Sequence, residues 1–207
     1  ETALPEALTW EQALEALASG ALLIDGRDPV EFARGHLRGA VNVGLDGRYA
    51  EFAGSVVPAD VDLVLFVEPG NELEAKNRLG RIGFDRVLGY VDAPFDVLRA
   101  HPERVDVASR LTPAALQQRR DELPDLQVVD VRNPGELAAG SIADSINIPV
   151  GQLPARLGEL DPARPTVVYC AGGYRSSVAA SLLRVNGFAD VSDLLGGYTA
   201  WAHAAST

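Results

Sequence analysis

The sequence is poor in three residue types whose absence limits what the protein can be. Its 207 residues include one cysteine and no methionine, and Lys76 is its only lysine. A single cysteine cannot form an intramolecular disulfide, and no Cys/His cluster has the spacing of a metal site. We therefore expect no structural metal and no cofactor within these residues. A reducing cytoplasm is the default compartment for such a chain.

Long apolar runs and excess positive charge are also missing. No stretch approaches the roughly 20 apolar residues that a membrane span needs, and no basic segment followed by an apolar one marks a signal peptide. The net charge is −11, and both halves are acidic, which argues against nucleic-acid binding. Because no Met begins the chain, we expect a processed chain or a piece of a longer protein.

The chain contains a domain-sized internal repeat. The segment from Ile24 to Val43 matches the one from Val129 to Ile148 at an offset of 105, and the offset later becomes 104 at Gly83 and Gly187. The matched residues include Asp25 with Asp130, Arg27 with Arg132, and Glu31 with Glu136. The repeat predicts two domains, residues 1–100 and 101–207, with Ala93–Arg110 as the linker.

Each copy shows the same alternation of strands and helices. Thr9 and Thr112 are typical helix N-caps, Pro113 suits a first helical turn, and Gly83 and Gly187 suit helix ends. Apolar runs such as Leu63–Val67 and Thr166–Cys170 are typical of strands buried on both faces of a parallel sheet. The fold class predicted for both copies is therefore α/β, with helices on both faces of the sheet.

The segment most indicative of chemistry follows one of these buried strands. It places a thiol at the carboxyl edge of the sheet, where open α/β sheets carry their sites. Small residues and then a helix follow; backbone N–H groups and the helix N-terminus could form an anion nest that also stabilises a thiolate. The predicted catalytic residue is Cys170, and the predicted substrate-binding residues are Ala171, Gly172, Gly173, Tyr174, Arg175 and Ser176.

Other interpretations of these residues remain open. A lone cysteine at the end of an apolar strand is usually inert core, although the full arrangement of strand, thiol, glycines and Arg175 is much rarer. Asp130 and Arg132 could support the thiol loop from below; alternatively, Asp130 caps a turn and Arg132 pairs with a carboxylate such as Glu136. Tyr174 is either a gate or an exposed aromatic, and Trp201 is expected to pack in the core.

These motifs together resemble the rhodanese family over nearly the whole chain, twice. The second copy carries the resemblance in Asp130-Val131-Arg132, in Ile146 to Pro149, in Cys170 to Arg175, and in the closing segment Leu195 to Trp201. The resemblance implies a parallel five-stranded sheet in each domain and a Cys170 that carries sulfur as a persulfide. It also favours a sulfurtransferase over the related phosphatases and arsenate reductases, whose loops have five residues between Cys and Arg where this chain has four.

The first copy lacks this chemistry. At offset 104, Phe66 stands opposite Cys170 and Asn71 opposite Arg175, and Glu68 brings an acid to the place of the anion nest. Residues 1–100 are therefore predicted to be an inactive pseudo-rhodanese domain, and residues 101–207 the catalytic one.

The expected function is transfer of sulfane sulfur through a Cys170 persulfide. The expected donor is thiosulfate or glutathione persulfide, and the acceptor is a thiol or cyanide. The order of an inactive copy before an active one further resembles the C-terminal half of fusions that begin with a metallo-β-lactamase-fold persulfide dioxygenase, which would make that domain a partner in a longer protein. A non-enzymatic sulfur-relay module remains an alternative, and a phosphatase or arsenate reductase is disfavoured by the spacing.

Overall fold

The chain folds into two compact units, which meet in sequence between Val107 and Ala108. This computed structural model describes residues 3–206. Within them each unit contains a parallel five-stranded sheet flanked by helices, so the predicted α/β fold class is confirmed. No helix of the described residues is both long and apolar enough to cross a membrane.

The first unit begins with a short strand and a capped helix. Thr9 caps that helix as expected: its hydroxyl accepts from Gln12 N–H, and the Gln12 side chain accepts from Thr9 N–H. The elements are β1 Ala7–Leu8, α1 Trp10–Ala18, β2 Leu22–Asp25, α2 Pro29–Arg34, β3 His36–Leu37, β4 Ala40–Asn42, α3 Tyr49–Val56, β5 Leu63–Phe66, α4 Glu72–Gly80, β6 Val87–Val91, α5 Pro94–Ala100 and β7 Val105–Asp106, with a 3-10 turn at Pro102–Arg104.

The second unit repeats this plan. Thr112 again caps its first helix, its hydroxyl accepting from Ala115 N–H, with Pro113 in the first turn. The strands are β8 Ser109–Leu111, β9 Gln127–Asp130, β10 Ile146–Asn147, β11 Thr166–Tyr169 and β12 Val191–Leu194; the helices are α6 Pro113–Glu122, α7 Leu153–Arg156, α8 Tyr174–Val185 and α9 Gly197–Ala204. The 3-10 helices are Pro134–Ala139, Val150–Gln152 and Leu157–Glu159.

The two sheets have the same strand order. Within the described residues it is β1-β6-β5-β2-β4 in the first unit and, read from the other edge, β8-β12-β11-β9-β10 in the second. Strand β11 leads into the loop that contains Cys170, and β5 leads into the corresponding loop of the first unit. Both strands are central in their sheets and fully buried. Each of these loops therefore begins at the buried centre of its sheet.

Strand register corrects the alignment of the two loops. Leu63 pairs with Leu22, and Thr166 pairs with Gln127. Leu63 and Thr166 therefore occupy equivalent positions, 103 residues apart, and at the same offset Val67 corresponds to Cys170. The prediction that Phe66 stands opposite the thiol was wrong, because the chain between β2 and β5 differs in length from the chain between β9 and β11.

The segment expected to be a linker is built into both units. Val105 and Asp106 pair with Leu37 and His36, whereas Arg110 pairs with Asp193 in the second sheet. The boundary between the units does fall inside the predicted linker Ala93–Arg110, but most of that segment forms helices and strands of the two units. The strands involved are two or three residues long, which is too short for a periodic pattern to identify.

The helix ends and the core of the second unit agree with the sequence analysis. Gly187 adopts φ +89°, and the Phe188 N–H returns to the Leu183 carbonyl, which closes α8 in the way expected of glycine. Trp201 packs against a buried cluster that includes Leu116 and Tyr169, so its expected core role is confirmed.

Candidate functional site

Cys170 lies directly after β11, at the carboxyl end of a strand placed between β9 and β12. The residue is buried, with 1% of its surface exposed. Its Sγ accepts a hydrogen bond from the Gly173 N–H at 3.1 Å and lies 3.6 Å from the Ser176 Oγ. The thiol therefore faces the loop that follows it and is held by that loop's own polar groups.

The loop owes its curvature to one glycine. Gly173 adopts φ +114°, a left-handed conformation that glycine tolerates best. Gly172 is not among the positive-φ residues, and a Cβ placed on it would meet nothing within 4 Å. The curl therefore depends on glycine at position 173 and does not require it at position 172.

Helix α8 begins immediately after the curl. Its first residue is Tyr174. Gly173 precedes it, so the N–H group that holds Sγ belongs to the helix N-terminus, where the backbone carries partial positive charge. Ser176 is buried, and its hydroxyl donates to the Gly173 carbonyl at 3.1 Å, which ties the first turn to the loop.

A second helix holds the loop from the other side. The Tyr198 N–H donates to the Cys170 carbonyl at 2.7 Å, and the Thr199 N–H donates to the Ala171 carbonyl at 3.2 Å. These donors lie at the start of α9, which the closing Gly196-Gly197 segment introduces. A Cβ on Gly197 would stand 2.4 Å from the Cys170 oxygen, so glycine is required for this approach. The sequence motif flagged the segment but not this contact.

Arg175 lies in the first turn of α8 and is engaged by a carboxylate. Its Nη1 and Nη2 donate to the two Glu136 oxygens at 2.6 and 2.8 Å. Glu136 raises the pKa of Arg175 most, through its hydrogen bonds to the guanidinium, and the interaction with Cys170 raises it further. The guanidinium is thus close enough to interact electrostatically with Cys170, but both of its terminal nitrogens already donate to Glu136. Its predicted role in binding the donor stays a prediction.

The Arg132 partner differs from the one we expected. Its side chain pairs with Asp130, with Nη2 to Oδ2 at 2.6 Å, because Asp130 lies at the end of the adjacent strand and also accepts the Arg132 N–H. Glu136 is instead taken by Arg175. Arg132 therefore pairs with a carboxylate as expected, but with Asp130 and not with Glu136, and the turn-capping role of Asp130 agrees with the geometry.

The Asp130–Arg132 pair also reaches the elements around the loop. Arg132 donates to the Gly140 carbonyl at 2.8 Å, and its guanidinium lies 4.3 Å from the centre of the Tyr198 ring. In the first unit, whose sequence contains no cysteine, Asp25 and Arg27 make the same ion pair at 2.6 Å. The repetition favours a structural role for Asp130 and Arg132.

Comparison with known proteins gives two matches to one family. The rhodanese-like domain family matches residues 9–92 and again residues 112–204. The chain belongs to the rhodanese family. Both matches are to this domain, and neither concerns a metallo-β-lactamase fold, so the narrower resemblance to a dioxygenase fusion stays a prediction.

Individual relatives match about one rhodanese domain's length. A protein named sulfurtransferase from Allochromatium vinosum is 39% identical over 88 residues, which cover 42% of this chain and 82% of that protein. The thiosulfate sulfurtransferase GlpE of Shewanella oneidensis is 37% identical over 83 residues, covering 40% and 82%. A solved rhodanese-related protein from Thermoplasma volcanium is 34% identical, with a TM-score of 0.43 and coverage of 46% of this chain and 92% of that one.

In the first rhodanese domain, the loop that corresponds to the thiol loop is occupied by hydrogen bonds of its own residues. Val67, which corresponds to Cys170, is buried. In that loop the Gly70 N–H donates to the Glu72 carboxylate at 2.9 Å, so a backbone donor that could serve an anion already binds an acid of its own domain. Within residues 3–206 the structure shows no cluster of three or more His, Cys, Asp or Glu side chains suited to a metal.

A second ion pair near the thiol loop escaped the sequence analysis. Arg110 on β8 pairs with the buried Asp193 at 3.0 Å, and its Nη2 lies 3.6 Å from where a Cβ on Gly173 would stand. The usable signal was the Leu-Thr dipeptide before each capped helix, which aligns Arg110 with Ala7. We missed it because Arg110 fell within the presumed linker.

Proposed function

We propose that the second rhodanese domain transfers sulfane sulfur through a persulfide on Cys170. The observation that carries the proposal is the setting of Sγ, which accepts the Gly173 N–H at the N-terminus of α8. The Gly173 N–H and the helix N-terminus both present partial positive charge to the sulfur. The names of the relatives, sulfurtransferase and thiosulfate sulfurtransferase, support the same chemistry.

The reaction proceeds in two half-reactions. The Cys170 thiolate attacks the outer sulfur of the donor, the donor's sulfur–sulfur bond breaks, and the leaving group departs with the electron pair. Sulfite leaves from thiosulfate, and glutathione thiolate leaves from glutathione persulfide. An acceptor thiolate or cyanide then attacks the outer sulfur of the Cys170 persulfide, and the Cys170 thiolate is restored.

The predicted site residues have distinct parts in this proposal. Cys170 is the nucleophile, Gly173 N–H stabilises its sulfur, and Ser176 secures the first turn of α8. The loop residues Ala171, Gly172 and Tyr174, which are less buried than Cys170, border the approach to the thiol. Arg175 would attract an anionic donor, to the extent that Glu136 leaves its charge available.

The spacing of the loop supports sulfur over phosphate or arsenate. Four residues separate Cys170 from Arg175, and by family resemblance the phosphatases and arsenate reductases have five. A sulfur-relay module that only accepts sulfur for a partner, such as an N-terminal metallo-β-lactamase-fold domain of a longer protein, would share the first half-reaction and lack turnover with free acceptors.

Intact mass spectrometry tests the proposal directly. After incubation with thiosulfate, and separately with glutathione persulfide, we expect the protein to gain the mass of one sulfur atom, and addition of cyanide or a thiol to remove it. Cys170→Ser should abolish both the mass gain and the turnover while its thermal unfolding stays close to wild type. Turnover above a few percent of wild type in Cys170→Ser would refute Cys170 as the nucleophile.

A further inference from the structure

Glu136 is the acid that pairs with Arg175, an arginine that interacts with Cys170. It lies in the 3-10 helix Pro134–Ala139, and its carboxylate binds both terminal nitrogens of Arg175. The Asn133 N–H donates to the same carboxylate at 3.0 Å, which fixes its orientation. Arg175 and Glu136 side chains are only 18% and 35% exposed, so the pair is a built contact and not two mobile surface chains.

The charge of this pair is close to zero at neutral pH. Arg175 is always protonated, and Arg175 lowers the pKa of Glu136 to about 2, so the carboxylate is ionised under all ordinary conditions. The positive charge that would attract an anion to the thiol is thus largely cancelled a few ångströms away. The rest of the protein cannot compensate, because its net charge is −11.

The first domain shows that this pairing is not simply a by-product of the repeated fold. Glu31 occupies the position of Glu136 in the repeat, but it pairs with Arg34 of its own short helix, and both side chains are exposed. The bidentate contact between the 3-10 helix and the helix after the loop therefore belongs to the domain that has the thiol. This suggests that it acts on what approaches Cys170.

We propose that Glu136 sets the donor specificity of the site by neutralising Arg175, so that the site disfavours dianionic sulfur donors relative to donors with less charge at the departing end. This inference rests on the proposed function. It names Glu136 as a specificity-determining residue that acts through Arg175. It further predicts that thiosulfate is a poorer donor for this protein than the chemistry of Cys170 alone would allow.

Two probes of nearly the same shape isolate the effect of charge. Thiosulfate carries two negative charges, and methanethiosulfonate carries one, a methyl group replacing one oxygen; both give up their outer sulfur to a thiolate, and the leaving groups are sulfite and methanesulfinate. The rate of sulfur loading is measured for each donor by intact mass in single-turnover experiments on the full chain. Glu136→Gln removes the charge and keeps an oxygen that can accept from Asn133.

We expect Glu136→Gln to raise the second-order rate of loading from thiosulfate about tenfold, and that from methanethiosulfonate about threefold. A tenfold change corresponds to about 1.4 kcal/mol, the scale expected for one charge a few ångströms from a dianion in a hydrated setting. Glu31→Gln, which removes the same charge from the matched position of the domain without a thiol, should change neither rate.

The outcomes separate this inference from the proposed function. If the wild-type protein gains no sulfur from either donor, the sulfurtransferase proposal fails. If the wild type loads sulfur but Glu136→Gln changes both donors equally, or slows thiosulfate, then Glu136 orients Arg175 or supports the fold and the specificity role is overturned. An equal gain in Glu31→Gln would overturn it as well, since the effect would then come from overall charge.

Discussion

Gly197 supports the thiol loop by having no side chain. A Cβ at this position would stand 2.4 Å from the Cys170 oxygen and 2.5 Å from the Ala171 oxygen, and both of these atoms are backbone that cannot move without displacing the loop. Gly197 also has φ +58°, which costs a non-glycine residue free energy. We expect Gly197→Ala to lower the free energy of unfolding by about 1–3 kcal/mol and to slow sulfur loading. Urea unfolding and intact mass measure the two effects.

The control for that substitution lies within the loop itself. Gly172 has open space around its Cα and no positive φ, so Gly172→Ala should change stability by less than about 0.5 kcal/mol. If Gly172→Ala and Gly197→Ala slowed sulfur loading equally, loop flexibility would matter more than the close approach of α9.

At the scale of single residues, the sequence predicted the nucleophile and not its supports. Cys170 could be found because a buried strand, a thiol, glycines and a helix follow one another along the chain. The Glu136–Arg175 contact joins residues 39 apart, and Arg110 reaches Asp193 over 83 residues. Such pairs depend on which strands are neighbours and in what register, which local patterns do not specify.

In the second domain, the ion pair between Glu136 and Arg175 connects the 3-10 helix Pro134–Ala139 to helix α8. Because Arg175 lowers the pKa of Glu136 to about 2 from an ordinary value of 4.5, the folded state binds this proton less readily than the unfolded chain. The stabilising contribution is therefore fully present above the unfolded value and is lost as the pH falls from about 4.5 towards about 2. Since Glu136 is partly exposed, solvent and salt screen the contribution.

This linkage gives a testable pH dependence. We expect the difference in free energy of unfolding between wild type and Glu136→Gln to be constant near neutral pH and to shrink as the pH falls below about 4.5. Urea unfolding of both proteins over this range measures it, and the other carboxylates cancel in the difference. A difference that grew on acidification would contradict the assigned direction of the Glu136 pKa shift.

Long elements were predicted well, and short ones were not. The strands Leu63–Phe66 and Thr166–Tyr169 could be identified because their runs of apolar residues are continuous. The strands β1, β7 and β8 have two or three residues each, and their positions are fixed by pairing with a neighbour and not by their own composition. The segment Pro134–Ala139 is a 3-10 helix, whereas the matching segment Pro29–Arg34 of the first domain is an α-helix. The composition of the two segments does not reveal this difference.

At the scale of the whole molecule, duplication separates structure from chemistry. What both domains share, including the buried pairs Asp25–Arg27 and Asp130–Arg132, is needed for the fold. What only the second has, including Cys170, Arg175 bound to Glu136, and the Arg110–Asp193 pair, surrounds the loop. The first domain has Ala7 opposite Tyr90 where the second has Arg110 opposite Asp193.

The two domains are expected to differ in whether they can transfer sulfur when expressed alone. We expect residues 108–207 expressed alone to keep measurable sulfur transfer, because every contact described for Cys170 comes from that range, and residues 1–107 to show none, because they contain no cysteine. The position of the cut matters. Val105 and Asp106 pair with the first domain, where Arg38 also binds Asp106 at 2.9 Å, so residues 1–107 should unfold at higher urea than residues 1–100. Equal stability of these two fragments would show that the short ladder contributes nothing. A second domain that stays inert until residues 1–107 are added back would show that the first domain completes the site, and would refute its description as a domain without a part in the chemistry.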